Sequence, residues 1–210
     1  MLCRVSCHES RGSVELLTSM RPVWIALLVV VLVGVGVGNA QESNSENPRI
    51  APLGSSESGI NITRTLENHP DLAKAWLTFA RHILGGSTLP PRDRELLILR
   101  IGFLCGSEYE WGQHSRIAKT VGVTDEEILR VIEGPDADGW APFDSALLRA
   151  ADELHSDSEV SDRTWNELAT RYDTKQLMDT VFTVGQYNLV SMALRSFRVP
   201  LDEGVQGFPK

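Results

Sequence analysis

The chain has 210 residues, with 28 acidic side chains against 20 basic ones and a formal charge of −8. So acidic a body repels phosphate backbones, and the sequence holds no glycine-rich phosphate loop and no dinucleotide fingerprint, which argues against nucleic acid as a partner and against nucleotide chemistry. The length suits one domain with a sizeable core once a leader is set aside.

Residues 21–40 begin with one positive charge, continue as an apolar run from Val23 to about Val37, and end in Gly38-Asn39-Ala40 before a polar stretch. This is the layout of a secretory signal peptide. A run of about sixteen apolar residues, interrupted by glycine, is short for a membrane span. Export to a periplasmic or secreted location is therefore expected, with an uncleaved membrane anchor as the alternative. Met20 directly precedes Arg21, so a start there gives an ordinary signal peptide and makes residues 1–19 an upstream extension. The expected organisation is an extension and signal peptide over 1–40, a flexible linker rich in Ser, Asn, Glu and Gly over 41–61, and a helical domain over 62–210. Cleavage removes Cys3 and Cys7 and leaves Cys105 alone, which excludes an intrachain disulfide and predicts a buried thiol.

From residue 62 onward apolar residues recur at intervals of three and four, and no convincing alternating strand pattern is present, so the domain is expected to be all-α. A first helix is predicted from near Pro70 to Leu84, with Leu72, Trp76, Phe79 and Ile83 as its apolar stripe and Gly85-Gly86 as its stop. Two helical pieces follow, with a bend at Cys105-Gly106-Ser107. Thr124 to Glu127 forms a capping box opening a short helix that Gly134-Pro135 ends. Asp136 to Pro142 reads as a loop. Three more helices are predicted: one from Asp144 or Ser145 through His155, one capped by Ser161 through Tyr172, and one from Lys175 to about Phe197.

The chemistry concentrates between Glu95 and His114. Glu95 opens a nearly wholly apolar run, where a buried charge needs a partner from Arg92, Arg94, Arg100 or another group. Further on, Glu110 and His114 stand four residues apart and so share one helix face. A carboxylate beside an imidazole is able to exchange protons near neutral pH, although such pairs are also common on solvated helix surfaces. His155 three residues after Asp152 reads as a helix-end charge with Asp152 exposed. His69 and His82 are isolated, and no spacing of ligating residues offers a metal site.

Glu95, the segment Ser107-Glu-Tyr-Glu-Trp-Gly-Gln-His114, Leu147-Leu-Arg-Ala-Ala-Asp-Glu-Leu-His155 and Val184-Gly-Gln-Tyr-Asn188 together resemble the carboxymuconolactone decarboxylase family, which includes the AhpD-like alkylhydroperoxidases, over about Ile62 to Gly204. In the peroxidase branch a Glu precedes Cys-x-x-Cys and a His follows four residues after the second Cys. Aligned here, the Glu falls on Glu95 and the His on His114, while the two cysteine positions hold Ser107 and Glu110. Both thiols are missing, so dithiol peroxidase chemistry is not expected. The resemblance implies an AhpD-like helical bundle that forms homo-oligomers, trimers or hexamers, and acts without a cofactor.

On this reading the chain is an enzyme that moves protons on a small organic acid or lactone. Glu95, Glu110 and His114 are the candidate catalytic residues: His114 exchanges the proton, Glu110 orients it, Glu95 is an accessory, and Arg100 or Arg116 offsets the charge of an anionic substrate. Ser107, Tyr109, Trp111 and Gln186 are the candidate substrate contacts, each with a plain packing or capping role as its competitor. Two other readings stand beside it: a peroxide or thiol redox protein using Cys105, and a non-catalytic oligomer that binds a small ligand.

Overall fold

The computed structural model describes residues 47–55, 57 and 59–210. The expected signal peptide, its cleavage site, Cys3 and Cys7 lie outside the described residues. The helices are α1 (Asn61–Leu66), α2 (Pro70–Arg81), α3 (Pro91–Leu104), α4 (Glu108–Thr120), α5 (Asp125–Glu133), α6 (Pro142–Ser156), α7 (Asp162–Leu168) and α8 (Thr174–Phe197), and a π-helical turn, His82–Gly86, continues α2. No strand occurs among the described residues, as the apolar periodicity predicts. No described helix is long and apolar enough to cross a membrane.

The fold is built around α3, which packs against α4, α6 and α8. Leu96, Leu97, Ile98, Leu99 and Ile101 are all fully buried. A helix apolar on every side belongs in the middle of a bundle, because each face meets another core. Leu97, Ile98 and Ile101 face Leu147, Ala150 and Tyr187 in one cluster, whereas Leu96 and Leu99 join Trp111, Val131 and Leu148 in another. Burying one leucine contributes about 2 kcal/mol, so this segment is a main source of stability.

The turn between α3 and α4 falls at the expected bend. Gly106 has φ of 62°, a left-handed conformation that strains other residues, and Ser107 caps α4 by accepting from the Glu110 amide. At Gly102 a Cβ would stand 3.2 Å from the Glu110 Cβ, so the hairpin's two arms nearly touch there. Glu95, seven residues before Gly102, and His114, four residues after Glu110, meet across this close approach.

Several boundaries differ from the sequence expectation. Helix α6 starts earlier because Pro142 takes its first position, α7 stops at Leu168, and α8 starts at Thr174 behind a second capping box formed by Asp173 and Gln176. Helix α1 was unforeseen. Of the expected stripe, Ile83 in the π-helical turn is fully buried and Trp76 partly so, whereas Leu72 and Phe79 are exposed and the buried residues of α2 itself are Ala73 and Ala80. The described part of the presumed flexible linker is docked: the Arg49 amide donates to the Phe197 carbonyl at 2.9 Å, and Arg64 donates to the carbonyls of Leu53 and Gly54.

The C-terminal segment crosses the outside of α4. Asp202 accepts from the Asn61 amide, the Tyr109 hydroxyl and the Gln113 side chain. Phe208 packs between Phe103 and Trp111. At Gly112 a Cβ would sit 2.4 Å from the Gln206 carbonyl oxygen, so only glycine admits the crossing backbone.

Candidate functional site

Glu95, Glu110 and His114 come together between α3 and α4, at 0%, 5% and 5% exposure. The order of the contacts differs from the sequence expectation. His114 Nδ1 lies 2.6 Å from Glu95 Oε2, while His114 Nε2 lies 3.5 Å from Glu110 Oε2. Glu95 is therefore the tightly bonded partner that orients the ring, and Glu110 faces the other nitrogen. Helix spacing alone sees only the intrahelical pair, whereas the hairpin supplies the closer one.

Two acids share one imidazole, and the electrostatics follow from that ratio. Burial pushes the Glu110 carboxyl up to about 7; the Glu95 charge adds to the rise and the His114 charge opposes it. Burial alone would lower His114, but the hydrogen bond and charge of Glu95, joined by Glu110, hold the imidazole above its ordinary value. Burial and the same two carboxylates raise the Tyr187 phenol far above its usual range, so its hydroxyl stays protonated. The Tyr187 ring meets the His114 ring edge-on, with centroids 4.8 Å apart. Arg94 Nε lies 3.4 Å from Glu95 Oε1.

A cavity of about 130 Å³ adjoins the cluster. Glu110, His114, Gln186 and Tyr187 line it on the polar side, and Ile62, Trp76, Leu84, Ile117 and Val190 are among its apolar walls. The side chains of Gln186 and Tyr187, each 5% exposed, make no hydrogen bond to another described residue. Of the sequence-derived contacts, Gln186 thus faces the cavity with an open amide. Tyr109 lines the same cavity, but its hydroxyl is engaged: it donates to Asp202 and accepts from the Ile62 amide.

The other candidates lie elsewhere. Ser107 is the α4 cap and is absent from the cavity wall. Trp111 points to the opposite face of α4, into the aromatic cluster with Phe103 and Phe208. Arg100 does not face the site, because Asp152 and the carbonyls of Val131 and Ile132 occupy it, and Arg116 borders a separate surface concavity. Asp152, expected on an exposed side, is accordingly drawn inward as the partner of Arg100. Cys105 caps the end of α3, partly exposed rather than buried, and its thiol donates to Asn188 Oδ1 at 3.1 Å. Burial raises that thiol, which keeps it from being a ready thiolate.

Tyr187 and the apolar walls contributed by α1 and α2 escaped the sequence reading. The adjacent polar pair Gln186-Tyr187 within an otherwise apolar helix was the one available signal. Among the described residues no group of three or more His, Cys, Asp or Glu is arranged to hold a metal ion. In the site itself the carboxylates contact opposite nitrogens of one ring, so the three donors do not converge on a common point.

A helical bundle organised around such a central hairpin defines the AhpD-like class of fold. Solved structures agree: the debrominase Bmp8 in complex with 2,3,4-tribromopyrrole has a TM-score of 0.64 at 17% identity, covering 75% of this chain and 93% of that one. An alkylhydroperoxidase AhpD core, an uncharacterized peroxidase-related protein from Ralstonia eutropha, has a TM-score of 0.61 at 17% identity over 69% of this chain and 77% of that one. The model of the carboxymuconolactone decarboxylase family matches residues 70–153, from the start of α2 into α6. The uncharacterized protein YdfG of Bacillus subtilis is 24% identical over 113 residues, 51% of this chain and 77% of the relative. The family match includes Glu95, Glu110 and His114 and leaves Gln186 and Tyr187 outside it.

Proposed function

We propose that the protein is an enzyme that transfers protons on a small organic molecule held in the cavity against Glu110 and His114. The observation that carries this reading is a buried imidazole bonded on one side to Glu95 and facing on the other a second carboxylate that opens to a cavity. Glu95 holds the ring and its charge, and Glu110, ionising near neutral pH, gives or takes the proton. Of the two substrate kinds that the family suggests, a lactone suits the apolar cavity better than an ionised acid does. The dithiol peroxidase reaction is not part of this function, since Ser107 and Glu110 stand where that chemistry needs thiols.

Self-association belongs to the same reading. Leu72, Phe79, Phe182, Leu189 and Met192 leave large apolar groups exposed on α2 and α8, which supports an oligomer, a trimer or a hexamer. A monomer by light scattering at micromolar concentration would contradict that part alone.

Exchange in heavy water tests the chemistry. A panel of small lactones and keto acids incubated with the protein should show deuterium incorporation or loss of carbon dioxide in at least one compound, and His114→Gln should lower its rate by at least about 10²-fold. A rate that His114→Gln leaves unchanged, or exchange absent from the whole panel, would overturn the proposal.

A further inference from the structure

The cavity beside Glu110 is close to the space that holds one benzene-sized ring, for which about 150 Å³ suffices in an apolar core. Its lining contains no lysine or arginine. Arg94, the cation that acts on His114 and Tyr187, is committed: it lies against Glu95. The charged and titratable groups around Glu110 are Glu95 and Arg94 from α3, Cys105 at the end of α3, His114 and Tyr109 from its own helix, and Tyr187 from α8. Gln186 and Tyr187 add an amide and a phenol that lack partners, both nine-tenths buried and both in the wall.

Resting on the proton-transfer reading of this cavity, we propose that its ligand is an uncharged organic molecule the size of a single ring, carrying one weakly acidic O–H or N–H and a second polar atom, and that carboxylates and other anions are discriminated against. The ligand's acidic group faces the Glu110 carboxylate. Its O–H or N–H bond breaks as the proton passes to Glu110 Oε2, and the electron pair stays on the ligand's oxygen or nitrogen. That new negative charge lies beside the His114 imidazolium, which Glu95 keeps charged, so the total charge of ligand and cluster together does not change. The Gln186 amide and the Tyr187 hydroxyl serve the second polar atom. An anionic ligand instead brings another negative charge next to Glu110 with no free cation to meet it, and enters only after Glu110 has taken a proton from solvent.

Phenol and benzoate, alike in ring but one uncharged and the other an anion near neutrality, separate the alternatives. Each is titrated into the full chain at about pH 8, where Glu110 is ionised, and binding is followed through the imidazole nitrogen resonances of His114, assigned with His114→Gln. Phenol should move those resonances with a dissociation constant at least about tenfold below that of benzoate, and Glu110→Gln should narrow the gap by strengthening benzoate. Should that variant not fold, the unaltered chain carries the same test, because benzoate should gain affinity as the pH falls below about 7. Benzoate binding as tightly as phenol at His114 at about pH 8 would overturn the uncharged class while leaving the proton-transfer cavity intact. Failure of both compounds to reach His114 would overturn the two readings together.

Discussion

Helix α3 buries three ionisable side chains, Asp93, Glu95 and Arg100, and the molecule treats the last two differently. Arg100 is satisfied: it donates to both oxygens of Asp152 at 2.6 and 3.0 Å and to two backbone carbonyls. Gly134, with φ of 102°, leaves just enough room for the guanidinium, 3.0 Å from where a Cβ would stand. Glu95 enters a cluster with two acids to one imidazole, beside a cavity whose wall keeps an unpartnered amide and phenol. Burial of a charge therefore does not mark a site by itself. Two acids set on the two nitrogens of one imidazole, next to empty space, distinguish this cluster from the closed pair at Arg100.

The sharpest way to break this contrast is a pair of substitutions judged by turnover. His114→Gln should lower the rate on any compound that exchanges in the heavy-water assay by about 10²- to 10⁴-fold, whereas Arg100→Met should leave the rate of the folded protein within about threefold. Equal losses in both variants would erase the distinction. In urea unfolding the order reverses: Arg100→Met strands Asp152 and two carbonyls and should cost about 3 kcal/mol, at the low end for a broken buried pair because Asp152 keeps 29% of its side chain exposed.

The acid surplus also has a signature in pH. Folding raises Glu110 from the ordinary carboxylate value to about 7 and raises His114 as well, so the native state holds protons more tightly than the unfolded chain. The stability each contributes is complete below its unfolded value and is lost as the pH climbs through its folded value. Between about pH 4.5 and 7, unfolding free energy of the native chain relative to Glu110→Gln should therefore fall by about 2 kcal/mol. A flat difference across that window would place Glu110 among ordinary surface acids. The smallest effect is expected at Ser107, where Ser107→Ala should cost about 1 kcal/mol through the lost α4 cap and leave phenol binding unchanged.

Much of the helical plan was legible because its signals are local. The Thr124 capping box, the stop at Gly134 and the bend at Gly106 each depend on a few neighbouring residues and a backbone preference. The fold class and the Glu110–His114 register follow from periodicity in the same way. The closer Glu95–His114 bond depends on how near two helix backbones lie, which Gly102 determines and a one-dimensional pattern does not display. Trp111 illustrates the opposite error: it adjoins Glu110 in the chain, yet one step around a helix turns a side chain about 100° away, toward Phe208 and out of the cavity. Arg100 looked free to meet a substrate because Asp152 is remote in sequence. Cys105 looked buried because its helix is apolar, although it stands at the helix end.

The crossing at Gly112 bears on how the protein is made. The helix that carries Glu110 and His114 is pinned from outside by Asp202 and by the backbone at Gln206, residues made after α8 has ended at Phe197. The hairpin of α3 and α4 is thus clasped by a segment that follows every described helix in the order of synthesis, so a growing chain has these helices before it has the strap that crosses them.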